Sequence, residues 1–173
     1  MDLARLLKPA ADNMLTTLDG LLAKAADNGG DALLEARLAP DMLPLAAQVR
    51  IACDQVSMAL KRVSDSTFSL SDDPDTTIAA ARQRVAGTKA ALAAQADAGF
   101  VTADKQIELS LPNGMSFAMP AEDYLVDWAI AQLTFHVSIA YAILRMKGLE
   151  IGKRDFLPYM FRHVSKGAGA PAA

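Results

Sequence analysis

His136 is the side chain whose type and setting most invite chemistry. It stands mid-way along an apolar stretch from Pro120 to Lys147, PAEDYLVDWAIAQLTFHVSIAYAILRMK. A neutral imidazole there can ligate a metal, relay a proton or simply hydrogen-bond a neighbour. Metal sites in helix bundles collect ligands from facing helices. One turn after His136 stands Ala140 and one turn before it stands Gln132, so neither completes a strong pair. Asp54 and Asp127 would have to approach from elsewhere in the chain. Cys53, the only cysteine, would form a nucleophile–base pair with His136 if the two met. Buried cysteines are usually inert small hydrophobes, however, and no set of oxyanion donors is visible. Asp54 adjoins Cys53 on an amphipathic stretch and is the acidic residue of interest. Trp128, Tyr124 and Tyr141 are pocket candidates, although aromatics at helical spacing more often serve a core. The structural alternative for His136 is a buried neutral ring bonded to Gln48, Asp54 or Tyr124. The ligand-pocket candidates are therefore His136, Asp54, Cys53, Gln132, Trp128 and Tyr124, with no catalytic residue and no metal set assigned. The sequence contains no phosphate-cradling glycine loop, no paired metal-binding cysteines and no H-E-x-x-H.

The element that must position His136 is a long helix. Pro120 suits the first helical position, because its missing N–H would be unpaired there. Glu122 and Asp123 fall in the first turn, and Arg145 and Lys147 in the last, as the helix dipole favours. Leu125, Trp128, Ala129, Gln132, His136, Ile139 and Ile143 recur at three- and four-residue spacing and define an inward face. Leu133, Ala140 and Leu144 flank it, so other helices must surround this one.

Three further helices are expected. The first spans about Leu3 to Asn28 with Pro9 near its start, and Gly29-Gly30 stops it. The second spans about Met42 to Val63, with Asp41 as its cap and Pro44 in its first turns. Gln48, Arg50, Asp54, Gln55, Lys61 and Arg62 lie mostly off its apolar stripe. The third follows Asp73-Pro74, a cap and first-turn pair, and runs to about Gln95. Between the third and fourth helices the period changes to two. Gln106–Leu111 and Met115–Met119 alternate around Pro112-Asn113-Gly114, and Asn-Gly is a hairpin signal. Ile107, Leu109 and Leu111, with Met115, Phe117 and Met119, would share the face laid on the helices. Phe156, Leu157, Tyr159, Met160 and Phe161 are anchors for a C-terminal packing segment. Residues 1–164 thus form a single helical domain, and the Gly/Ala-rich residues 165–173 a disordered tail.

Composition narrows the function classes. The chain has 173 residues, 52% of them hydrophobic, and a net charge of −3, which argues against a nucleic-acid footprint. One cysteine permits no intrachain disulfide, so a cytoplasmic setting is the default. Gln132, Thr134, His136 and Ser138 interrupt the apolar run of the last helix, which favours a bundle core over a membrane span.

Two blocks carry a family resemblance. LAPDMLPLAAQVRIACDQV at Leu38 to Val56, and TFHVSIAYAILRMKGLEIGKRDFL at Thr134 to Leu157, closely resemble the DUF1993 family, a branch of the DinB/YfiT-like superfamily. The resemblance implies an all-α, DinB-like four-helix bundle with a β-hairpin inserted before the last long helix, and a homodimer. In many members of that superfamily three histidines hold a divalent metal, one on the second helix and two a turn apart on the last. Some of these act as metal-dependent thiol transferases or hydrolases. Here His136 matches a last-helix position, Ala140 takes its partner's place, and the second helix has no histidine. The expectation is a bundle without the full triad and without a cofactor, which binds a small molecule. The alternative is a divalent-metal- or thiol-dependent enzyme centred on His136. The residues alone leave enzymatic activity open.

Overall fold

The structure, a computed structural model, describes residues 1–165. The expected tail lies outside the described residues from position 166 onward. Helix α1 spans Leu3–Asp27, and the Asp2 side chain accepts a hydrogen bond from Arg5 N–H at its start. Pro9 lies inside the helix and does not stop it. Its stripe of Leu7, Leu15, Leu18, Leu21 and Leu22 is fully buried. Each such leucine contributes about 2 kcal/mol of apolar burial. A 3₁₀ segment, Gly30–Glu35, leads towards α2, Leu45–Val63.

Helix α2 begins later than expected, because Pro44 keeps extended backbone and stands as the N-cap. Asp41 does not cap it. Helix α3 spans Ile78–Ala94, with Thr77 as a side-chain cap accepting from Ala80 N–H. The Asp73-Pro74 pair does not start it, for a reason given below.

Strand β1, Gln106–Ser110, pairs antiparallel with β2, Ser116–Pro120, placing Ile107 opposite Met119 and Leu109 opposite Phe117. The turn is Leu111–Gly114, closed by a bond from Gly114 N–H to the Leu111 carbonyl, with Gly114 at φ 87°. Leu111 N–H bonds the Met115 carbonyl, so the loop is the three residues 112–114 and not a two-residue Asn-Gly turn. Ile107 and Leu109 are buried as expected, but Met115 and Phe117 are exposed. The hairpin's apolar side extends past the helices it lies on.

The last long helix, α4, runs Ala121–Met146 without a break. Its second segment, Tyr124–Ile130, is π-helical, and regular α-helix resumes at Ala131. Gly148, at φ 88°, ends it. Leu149 N–H bonds the Leu144 carbonyl and Gly148 N–H the Arg145 carbonyl, the paired closure of a Schellman cap. By length and composition α4 is long and apolar enough to cross a membrane. In this fold it packs on α1 and α2.

The four helices form a square in which α1 and α2 are diagonal, with α3 and α4 at the other corners. Arg82 meets Asp19 and Lys89 meets Asp12, so α3 runs antiparallel to α1. Arg62 meets Tyr124 and Gln48 meets His136, so α4 runs antiparallel to α2. A single turn at Lys153–Phe156 folds back on α1, where Thr17 Oγ1 donates to the Phe156 carbonyl.

Candidate functional site

Helix α2 carries polar side chains on two different faces, and they reach different neighbours. The face towards α3 holds Cys53. The thiol is fully buried, and that burial pushes its pKa up to about 12 against the opposing influence of Thr88 and Arg84. It is a protonated, inert group at neutral pH. Arg84, on α3, donates to Asp75, to the Ser71 carbonyl and to the Asp73 carbonyl, each at 2.8 Å. Both side chains of the Arg84–Asp75 pair are under 10% exposed. These bonds hold segment 71–75 as a strap against α3, which is why Asp73-Pro74 cannot open the helix. Ser57 donates to the Phe68 carbonyl and secures the strap's other end on α2. Asp54 is bonded to Arg50 at 2.8 Å, one turn back. Burial raises the Asp54 pKa and the Arg50 guanidinium opposes that rise.

The face towards α4 carries Gln48, Gln55 and Arg62, each seven residues from the next and so on one strip of the helix. Gln48 Nε2 donates to the Leu43 carbonyl at 3.2 Å, which orients the amide. His136 Nδ1 then donates to Gln48 Oε1 at 2.8 Å. This leaves the Nε2 lone pair on a neutral ring, and burial lowers the histidine's pKa. At the other end of the strip, Arg62 donates to the Tyr124 hydroxyl at 3.2 Å and lies 5.5 Å from that ring's centroid. Tyr124 is fully buried, and burial raises its pKa. Midway between these pairs, Gln55 Oε1 is buried with no hydrogen-bond partner among the described residues.

The sequence-derived candidates therefore separate. Cys53 and Asp54 belong with α3 and the strap, while His136 and Tyr124 belong to the α2–α4 seam. The Cys53–His136 pair does not form, because Gln48 and Cys53 project from α2 about 140° apart at 100° per residue. His136 is bonded to Gln48, one of the three partners foreseen for it.

Trp128 and Gln132, expected on the inward face, are instead half-buried at its edge. The π segment causes this. The buried residues Tyr124 and Ala129 are five apart, as a π turn requires, so the face shifts by one residue before Leu133 and Val137 continue it. Trp128 and Gln132 then line an open cleft of about 490 Å³ with Asp127, Ala131 and Phe135. Phe117 of the hairpin lies 5.8 Å, centroid to centroid, from Trp128. Phe135 meets the His136 ring edge-on at 5.3 Å. Phe117, Phe135 and Gln55 were not among the residues singled out for the site. The seven-residue spacing of Gln48, Gln55 and Arg62 was the available signal. A larger cavity, about 530 Å³, lies at the far end of α4 between Lys24, Asp27, Asn28 and Lys147–Ile151. There Lys24 is already paired with Asp155 at 2.7 Å.

Comparison with known proteins agrees with this architecture. A family described as a domain of unknown function, DUF1993, matches residues 5–157. The chain belongs to the DUF1993 family. The crystal structure of a DinB family member protein from Shewanella denitrificans is similar at 34% identity with a TM-score of 0.79, covering 90% of this chain and 91% of that one. No curated protein matches the chain.

The fold is thus the DinB-like bundle, with the hairpin inserted before the last long helix. This DUF1993 chain lacks the metal triad of that superfamily. No group of three or more His, Cys, Asp or Glu side chains converges among the described residues. Ala140 is fully buried one turn beyond His136, and the α2 residue facing that histidine is Gln48. His136 thus has no second ligand beside it among the described residues, and these residues do not fit the three-histidine site.

Proposed function

We propose that this DUF1993 protein is a small-molecule-binding bundle whose site is the cleft on the outer side of α4. One observation carries the reading: a cleft of about 490 Å³ joins Asp127, Trp128, Ala131, Gln132 and Phe135 directly over a π-helical segment. That volume falls within the range of small-molecule sites, and π segments recur at functional positions. Convergent aromatics with a few polar groups are the usual lining of such sites. Trp128 is the sole tryptophan, so its emission reports on this cleft alone. A fragment screen read by Trp128 fluorescence, with hits mapped by amide NMR, tests the proposal. Saturable hits that shift the amides of Asp127 to Phe135 support it. Hits confined to the Lys24–Ile151 cavity, or none at all, would refute it.

A second copy of the chain is the competing occupant of this helix. It is supported by Phe135 and Val126, which are 53% and 48% exposed. Sedimentation at high protein concentration reads that alternative, and a strictly monomeric mass removes it.

A further inference from the structure

We infer that the cleft takes an organic cation, a quaternary or protonated amine carrying apolar groups. The inference rests on the cleft being a ligand site, and concerns which chemistry fits it. Its fixed features share one electrostatic sign. Asp127 is exposed and makes no ion pair among the described residues. Trp128 and Phe135 line the cleft, and tryptophan is the strongest aromatic partner for a cation. No Lys or Arg lines the cleft. The two cationic side chains nearest along α2 are committed elsewhere, Arg50 to Asp54 and Arg62 to Tyr124. A site made of a carboxylate and aromatic side chains, with no basic group, repels anions. It offers a neutral apolar ligand only shallow contact. It complements a positive charge wrapped in methyl or aryl groups.

The test uses the full chain with two probes of one shape, choline and its uncharged isostere 3,3-dimethyl-1-butanol, read by Trp128 emission and amide NMR. The expected result is saturable binding of choline, about 2- to 5-fold tighter than the alcohol, the size of an exposed cation–π contact. Asp127→Asn, an exposed substitution that leaves the fold intact, should weaken choline about 4-fold, the size of one charge contact near 5 Å in water-like dielectric. It should leave the alcohol unchanged. Added salt should weaken choline alone. Equal binding of both probes overturns the cation inference while the cleft remains a ligand site. Binding of neither probe, with fragment hits still mapping to the cleft, also overturns only the cation inference. Loss of the fragment hits as well removes the cleft reading itself. Concentration-dependent emission that tracks dimer mass, and that choline does not alter, overturns the inference in favour of a second copy.

Discussion

The two polar faces of α2 make opposite uses of burial. Towards α3, the polar groups are matched: Arg84 spends three bonds on the strap, and Cys53 is sealed beside Thr88. Towards α4 the strip is satisfied at its ends, while Gln55 Oε1 in the middle has no partner among the described residues. A saturated network rigidifies a fold, whereas an unpaired buried acceptor carries a desolvation cost that nothing offsets. The reactive residue types of the chain are thus a poor guide to its site. The cysteine lies on the closed side and the histidine is held by Gln48. The open positions belong to Gln132, Asp127 and the aromatics.

Breaking the closed side should have the largest effect. Arg84→Ala strands Asp75, whose side chain is 9% exposed, and frees two strap carbonyls. Loss of one partner of a buried pair costs about 3–5 kcal/mol. Urea denaturation should show that loss, while Arg82→Ala, whose partner Asp19 is 40% exposed, should lose less than about 1 kcal/mol. Similar losses in both variants would mean that the strap is not a closed unit. The same face predicts that Cys53, with its pKa near 12, ignores thiol reagents in the native protein at pH 8 and reacts at the rate of unfolding.

The ends of the open strip come next. Gln48→Leu leaves the His136 Nδ1–H buried without an acceptor, a loss of about 1–3 kcal/mol in the same assay. His136 also sets a pH dependence. Its folded pKa lies below the unfolded value of 6.5, because burial disfavours the imidazolium. Between those two values the unfolded chain binds more protons, so stability rises with pH there. Its contribution is present in full above pH 6.5 and is lost as pH falls towards the folded value. Comparing the urea midpoints of wild type and His136→Leu between pH 5 and 8 should show a flatter profile for the variant over that window. An unchanged profile would assign the dependence to other groups.

How much of this was legible in the residues depends on whether the cause was local. Helix α1, the hairpin pairing, the Gly148 stop and the family blocks all follow from local pattern, and the structure agrees with them. The His136–Gln48 bond was one of three partners foreseen, because a buried ring on an amphipathic helix has few polar neighbours to choose from. Helix α3 starts late because Arg84, a turn and more into that helix, pulls the carbonyls of Ser71 and Asp73 into the strap. That tertiary demand overrides the capping propensity of Asp73. Trp128 and Gln132 were placed inward by uniform helical spacing. The π segment displaced them, and no residue type marks such a segment in advance. The cleft was out of reach for the same reason, because it depends on that displacement.

The smallest expected effect isolates what is peculiar to the open side. Gln55→Leu removes a buried acceptor that has no partner and replaces it with an apolar group of similar length. Elsewhere in a bundle, deleting a buried polar side chain costs stability because it strands a partner, as it would at Gln48. At Gln55 there is no partner to strand, and the desolvation penalty of the amide oxygen disappears. The variant should therefore match or exceed wild type by up to about 1 kcal/mol in urea denaturation. A stability loss above about 1 kcal/mol would show that Gln55 is satisfied in solution, and would make the two faces of α2 equivalent.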